Sequence, residues 1–572
     1  MRFKFLLVLI ILLSSCKNAI KKTTSPLDFV PQNSIGVIKI NDPLMLDNTL
    51  KKFSFLVELS KLDSNIYENI KAVVPDKKST NSILILTPQG KRNIAISYVF
   101  KSTNSDTIKL NILENFVYNS VPVYISDKGK KKIFWTQIED IYVISSSQLV
   151  LENCIRNIQN KQKGIQDGQF YRLAELNNTD AILSIFLHKD ITEVINKLFT
   201  KTKYFPFLGN SWFSFDFNTK KDPFTLDGIS FVNDSIPDRL TLYKNLNAQP
   251  LVSHQFIPRN FDNYFALSIS DYKTLEENFK EFVRYKNIAF KKIDFDPLSN
   301  VNEIAFINNK SNQAIYLSLR NSDIVEKRLF SKNDIIDSYR GIKIINHELP
   351  KDFYGFLKIL GLDNIPKYSA KIKRTLIYSK EKSYLKQLIG IYLDGKTLGN
   401  DINFKNLQSD LADNSTFIWI GDLNNLKESW KKENQKNFKI WDNVKSDSYP
   451  LIAIQGISED NFIQSRFTAQ KNNPNQPKNS VTDQFRFNLD APLATNPKWI
   501  RNHRNKTMDI VVQDENNVLY LFSNTGDLFW KKQLSGPVIG EIEQVDLYKN
   551  RRLQMVFRTP DRFIILDRNG KI

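Results

Sequence analysis

The sequence predicts an α+β protein: two tandem antiparallel α+β units followed by an all-β, propeller-like segment of about two blades. Three observations predict it. The chain has 572 residues, too many for one core. Its middle repeats itself at a shift of about 227 residues. Its last ninety or so residues repeat at about 45, the period of a four-stranded blade.

The chain opens on Arg2 and Lys4, followed by an apolar run from Phe5 to Leu13. A secretory apolar region needs ~7–15 residues and a spanning helix ~20, so the run reads as a signal peptide over residues 1–15. Leu13-Ser14-Ser15-Cys16 resembles a bacterial lipobox. The resemblance implies cleavage before Cys16, a palmitate-type lipid on that thiol, and a tether over residues 16–27 that holds the chain to a membrane. Lys17 stands where an Asp would resemble an inner-membrane retention signal. Lys17-Asn18-Ala19-Ile20-Lys21-Lys22 also lacks the acidic cluster of surface-exported lipoproteins in Bacteroidota. The expected address is therefore the cell envelope, at the outer membrane facing the periplasm.

The first unit is placed at residues 28–250 and the second at 251–469. Phe29-Val30-Pro31-Gln32-Asn33 returns as Phe256-Ile257-Pro258-Arg259-Asn260. Each copy precedes a strand and then a helical stretch, Leu44–Leu59 and Leu275–Tyr285. Ile141–Ser145 and the helix behind it match Thr375–Ser379 and Tyr384–Tyr392. Asn178–Phe186 matches Asn414–Ile420, and Gly228-Ile229-Ser230 matches Gly456-Ile457-Ser458. Anchors in one order at nearly one shift argue for tandem duplication. Within the first unit Ser82–Leu86, Ile94–Val99, Val121–Ile125, Ile133–Trp135 and Ile141–Ser145 alternate as strands do, with short turns between them. That pattern favours an antiparallel sheet with helices.

Residues 470–480 carry no apolar side chain beyond prolines and read as a linker. Residues 481–572 follow as the blades. Here Leu521–Trp530 is similar to the tryptophan-docking motif of quinoprotein-like propeller repeats, in which a strand ends in an Asp/Asn-x-x-Gly turn and a Trp follows four residues after the Gly. Asn524, Gly526 and Trp530 carry the resemblance, and Asp567 and Gly570 begin a second copy. The resemblance implies that the Trp packs between neighbouring sheets and implies no cofactor. Two blades do not close a propeller, so a longer natural chain, packing on the duplicated body and completion by a partner all stand as expectations.

Chemistry is sparse. His188, His254, His347 and His503 lie far apart, and none forms a ligand pair, so no metal is expected. Ser379 and Ser383 each begin a Ser-x-x-Lys, but the companion motifs of penicillin-recognising enzymes are missing, and Ser379 reads as part of a helix start. Gly-x-Ser-x-Gly, P-loop and Gly-x-Gly-x-x-Gly patterns do not occur. Turn residues around Asp514 and Asp567 lack calcium-loop spacing. Trp499 and Trp530 are assigned to sheet packing rather than to sugar stacking. There are two cysteines; with Cys16 lipidated, Cys154 is unpaired and reads as a small buried residue of the helix Gln148–Asn160, with Leu149, Ile155 and Ile158 on its apolar side. The net charge of +19 favours anionic surfaces, against a background of lysine spread over solvated faces. The exported address and the lack of a basic stripe argue against nucleic acid. The function expected is a non-enzymatic binding or scaffold role in the envelope, with an envelope protein as partner. The alternatives are an envelope enzyme acting on glycan or lipid and a fragment of a larger propeller fusion.

Overall fold

A computed structural model describes residues 25–43, 64–75, 81–90, 93–102, 110–129, 131–159, 168–176, 178, 180–191, 212–218, 224–232, 236–287, 296–310, 312–321, 335–346, 349, 353–362, 365–433, 449–472, 487–503, 508–523 and 526–572. The helical stretch Leu44–Leu59 and most of the linker lie outside them.

Ten strands come first: β1 (Gly36–Ile40), β2 (Ser82–Gln89), β3 (Asn93–Lys101), β4 (Ile112–Tyr118), β5 (Val121–Lys128), β6 (Lys131–Ile138), β7 (Ile141–Ser145), β8 (Leu183–His188), β9 (Trp212–Phe217) and β10 (Phe224–Phe231). Ten more follow: β11 (Asn263–Ser268), β12 (Val301–Asn309), β13 (Asn312–Leu319), β14 (Ile335–Tyr339), β15 (Ile342–Asn346), β16 (Tyr368–Ile372), β17 (Thr375–Ser379), β18 (Phe417–Asp422), β19 (Leu451–Ser458) and β20 (Phe462–Gln470). Ladder by ladder, the first ten run β4-β5-β6-β7-β3-β2-β1-β8-β9-β10. The second ten run β14-β15-β16-β17-β13-β12-β11-β18-β19-β20, the same order. Antiparallel pairing of β10 with β20 joins the two sets about a pseudo-twofold axis into one sheet of twenty strands.

This corrects the expected fold class. The chain is not a balanced pair of α+β units with a small propeller-like segment: strand exceeds helix, 45% against 23%, and one antiparallel sheet runs through both halves. The pairing that merges them joins residues about 240 apart, such as Asp227 with Arg466, so no local pattern announces it. Gly228 and Gly456 are also not equivalent positions; they sit on β10 and β19, whose counterparts are β20 and β9. Of the other three anchors, two fall on strands of matching position, β7 with β17 and β8 with β18, and the third just precedes β1 and β11.

Helices cover both faces. On one face a single core spans both halves. It takes Ala72 and Val73 of α1 (Ser64–Val73), then Leu275, Phe279, Phe282 and Val283 of α4 (Tyr272–Tyr285). Phe356, Leu357 and Leu360 of α5 (Phe353–Leu360) and Leu423 and Leu426 of α8 (Leu423–Glu433) complete it. The logic of α4 is plain. Asp271 caps it by accepting from the Lys273 and Thr274 N–H groups, and its buried residues Leu275, Asn278, Phe279, Phe282 and Val283 follow i, i+3, i+4, i+7, i+8 spacing.

The opposite face carries two separate cores. Under the first half, α2 (Gln148–Gln159) buries Val150, Leu151, Cys154 and Ile155, and α3 (Gly168–Glu175) buries Phe170 and Leu173. Leu149, expected on the apolar side, is instead 54% exposed. Under the second half, α6 (Lys382–Leu393) and α7 (Ile402–Ser409) pack Leu385, Leu388, Ile389, Phe404 and Leu407. Between these covers lies a seam. Close approach needs glycine nearby: a Cβ on Gly456 would fall 2.2 Å from the Phe417 ring across the β18–β19 ladder. The connection between halves is pinned by buried Glu303, which accepts from the Val252 and Ser253 N–H groups (2.7 and 3.2 Å) and from the Ser253 hydroxyl.

The C-terminal region forms two further antiparallel sheets. One holds β21 (Lys498–Arg501), β22 (Met508–Gln513), β23 (Val518–Phe522) and β24 (Leu528–Gln533). The other holds β25 (Ile539–Val545), β26 (Gln554–Arg558) and β27 (Phe563–Leu566). They share a core in which Ile500, Val511, Leu519 and Leu521 meet Ile542, Met555, Phe557, Ile564 and Leu566.

Candidate functional site

Cys16 and Asn524 lie outside the described residues. The structure brings the other singled-out residues of the C-terminal region together. Gly526 adopts φ +93° and donates its N–H to the Ser523 carbonyl. Trp530 donates its indole N–H to the Arg568 carbonyl (2.8 Å), and a Cβ on Gly570, at φ +75°, would lie 3.1 Å from the indole. Asp567 shapes that turn by accepting from the Asn569 and Lys571 N–H groups. Beneath it Arg568 pairs with Asp509 of β22, with 11% and 1% of the two side chains exposed, and stacks over Phe529 at 4.7 Å. These residues join one sheet to the other. Trp499 does not share their role; it is 56% exposed.

The residues weighed for catalysis have other employment. Ser379 is buried and bonds to the Glu381 N–H, while Lys382 and Lys386 both pair with Asp337. Burial pushes the Cys154 thiol up to about 12. It also pushes His254 down to about 4. His503 Nδ1 accepts from the Leu553 N–H, His188 lies beside Trp212 and Asp190, and His347 lies outside the described residues. Among the described residues no group of three or more His, Cys, Asp or Glu could hold a metal ion.

The seam holds the constellation that the sequence did not show. Lys39, Ser184, Asp216, Asp227, Arg466 and Gln455 stand in register across β1, β8, β9, β10, β20 and β19. Residues directly opposite one another share a face. A polar row therefore crosses the pseudo-twofold axis between the two helical covers, and it ends at Ile83 and Ile418. Arg466 Nε donates to Asp227 (2.7 Å) and its Nη1 to the Asp410 carbonyl (3.0 Å). Gln455 exchanges bonds with both backbone groups of Ala412 (2.9 and 2.7 Å) and takes the Ser415 hydroxyl as a further acceptor. These bonds fix the wall of a cleft of about 550 Å³ lined by Thr225, Asp227, Asp410, Leu411, Gln464 and Arg466.

Burial raises the Asp410 carboxyl, and Arg466 opposes the rise. Asp216 is raised by burial too; the Ser184 hydroxyl, at 2.5 Å, works against it and the neighbouring Asp227 adds to it. Burial lowers Lys39, with Asp216 opposing. The adjacent carboxylates are thus committed, Asp227 to Arg466 and Asp216 to Ser184. Ser409 in the lining donates to the Asn406 carbonyl. The arrangement offers fixed charge and hydrogen-bonding groups to a polar ligand. Its only trace in the sequence is a lone charge inside each aromatic strand: Asp216 in Trp212–Phe217, Asp227 in Phe224–Phe231 and Arg466 in Phe462–Gln470.

A second feature is on the surface. Of the 24 large apolar side chains exposed among the described residues, 13 lie between Phe487 and Ile572, a region that holds about a fifth of the described residues. Trp499, Tyr548 and Phe563 are 56, 71 and 77% exposed. No helix among the described residues is long and apolar enough to cross a membrane. Comparison with known proteins finds no matching family model, no matching curated protein and no matching solved structure.

Proposed function

We propose that this chain is an exported lipoprotein, anchored through lipid on Cys16 and facing the periplasm at the outer membrane, with a non-enzymatic binding or scaffold role in the envelope. The observation that carries the binding role is the gathering of exposed apolar side chains on the two C-terminal sheets. Exposed apolar side chains gathered at this density in one region are what a contact site for another protein requires. Such a module held near a membrane by a lipid suits the capture of an envelope protein with an apolar surface of its own. The enzymatic alternative finds less support, since the acidic neighbours of the seam are already committed to Arg466 and Ser184.

Two experiments test the two parts. Palmitate labelling and membrane fractionation compare the native chain with Cys16→Ser; a label that survives the substitution would sink the anchor. Photo-crosslinking residues placed in cells at Trp499 and Phe563 are compared with one placed at exposed Glu277 of α4. A discrete adduct is expected from the first two positions. Equal adducts, or none, from all three would reject the binding role.

A further inference from the structure

We propose that β4 is an association edge, pairing antiparallel with β4 of a second copy of this chain. The strand ends one side of the large sheet, and among the described residues it pairs with β5 alone. Its sequence, Ile112-Leu113-Glu114-Asn115-Phe116-Val117-Tyr118, contains neither Lys nor Pro, two of the residues that blunt a sheet edge, and its one charge, Glu114, lies at the bulge where the five-residue regular segment begins. Val117 is 71% exposed, and Ile112 and Leu113 are each 47% exposed.

The direction of the open backbone groups follows from the partner strand. Val117 lies opposite Pro122, which has no N–H to exchange. Pro122 turns its carbonyl the other way, to the Thr136 hydroxyl of β6 at 2.7 Å. Val117 and Pro122 are therefore a non-hydrogen-bonded pair, and the N–H and C=O of Val117 point outward. By the period of two, so do those of Asn115.

The register of a self-pair follows as well. The ladder with β5 shifts between Ile112 and Glu114, so the regular segment is Glu114–Tyr118, centred on Phe116. Pairing about that centre sets Phe116 against Phe116, Asn115 against Val117 and Glu114 against Tyr118. Both outward-facing residues meet each other's open groups, an aromatic pair sits at the axis, and no like charges are opposed. The molecule already joins its own halves in this manner, through β10 and β20.

The opposite end of the sheet is guarded. The regular part of β14 is only Asp337–Tyr339, and Asp337 is held by Lys382 (3.2 Å) and Lys386 (2.8 Å). A five-residue ladder falls short of the ~1,200 Å² of a stable interface, so the dimer forms at high concentration.

Sedimentation equilibrium on the Cys16→Ser chain, from low to high micromolar, reads the association. Val117→Pro deletes an outward N–H and no ladder bond to β5, a place where an edge strand tolerates proline. A concentration-dependent dimer is expected, with its Kd raised at least about tenfold by Val117→Pro and unchanged by Ile336→Lys on β14. Circular dichroism monitors folding of each variant. Register is read by oxidative cross-linking: a mixture of Asn115→Cys and Val117→Cys chains cross-links, while either alone does so far less. A monomer at every concentration, or a dimer indifferent to Val117→Pro whose mixed cysteines fail to cross-link, overturns the proposal.

Discussion

Arg568→Ala gives the sharpest test of how the C-terminal sheets are held together. Arg568 follows β27, yet its guanidinium pairs with Asp509 on β22 of the other sheet, where the carboxylate is 1% exposed. The second oxygen of Asp509 has no hydrogen-bond partner, so truncating Arg568 leaves a buried carboxylate with no counter-charge. Breaking a buried pair by removing one partner costs ~3–5 kcal/mol. Loss of the contact with the Phe529 ring adds ~0.5–2 kcal/mol. A region of this size has a total stability of roughly 4–12 kcal/mol at ~0.05–0.15 kcal/mol per residue. Arg568→Ala is therefore expected to open the two sheets substantially. The assay is hydrogen exchange read on peptides covering 508–523 and 554–566, with peptides of β11 and β12 as the internal reference. Asp509→Leu combined with Arg568→Met removes both charges and is expected to retain more protection than Arg568→Ala alone. A loss below about 1 kcal/mol in Arg568→Ala, or a double variant worse than the single, would refute the reasoning.

Four further outcomes follow from the same geometry. Gly570→Ala forces a Cβ toward the Trp530 indole at positive φ, and is expected to cost ~1–3 kcal/mol of local stability by the same exchange measurement. Glu303→Ala leaves the part-buried Val252 N–H and the buried Ser253 N–H without their acceptor, while the Ser253 hydroxyl keeps Tyr264 (2.8 Å), so urea unfolding is expected to show a loss of ~2–5 kcal/mol. Burial lifts Asp422 to about 6, with hydrogen bonds from the Asn425 and Asn424 N–H groups acting against the rise. Its contribution to stability is present below about pH 4 and is lost as pH rises through 6, so Asp422→Asn flattens the unfolding profile in that window. Cys154, fully buried and with its thiol pushed up to about 12, resists maleimide in native buffer and reacts in urea; labelling in the native state would contradict the packing of α2.

Much of the local structure was legible. Each of the five strands expected in the first half is present, because alternation over a half-buried surface leaves a period of two. The helix Leu275–Tyr285 carries its own cap and stripe, and it is found as Tyr272–Tyr285. Errors arose where a neighbour decides. Leu149 fits an apolar stripe on paper, but Val150 and Leu151 take the inward positions at the start of α2. Trp499 looks like a core residue by type, but its strand turns it away from the shared core that Ile500 enters. The seam residues lie up to 427 positions apart, from Lys39 to Arg466, and only their strand registers align them.

By itself the sequence determined the period of each strand and helix, the punctuation between them, and the internal repetition, since these rest on contacts between near neighbours or on direct comparison of residues. The tertiary structure alone decided that β10 meets β20, that two halves become one twenty-strand sheet, and that a row of isolated charges becomes a cleft. The physical reason is that an edge strand reads the same whether it ends a sheet or continues one. Its open N–H and C=O groups carry no residue code, and only the approach of a second edge shows which strand satisfies them.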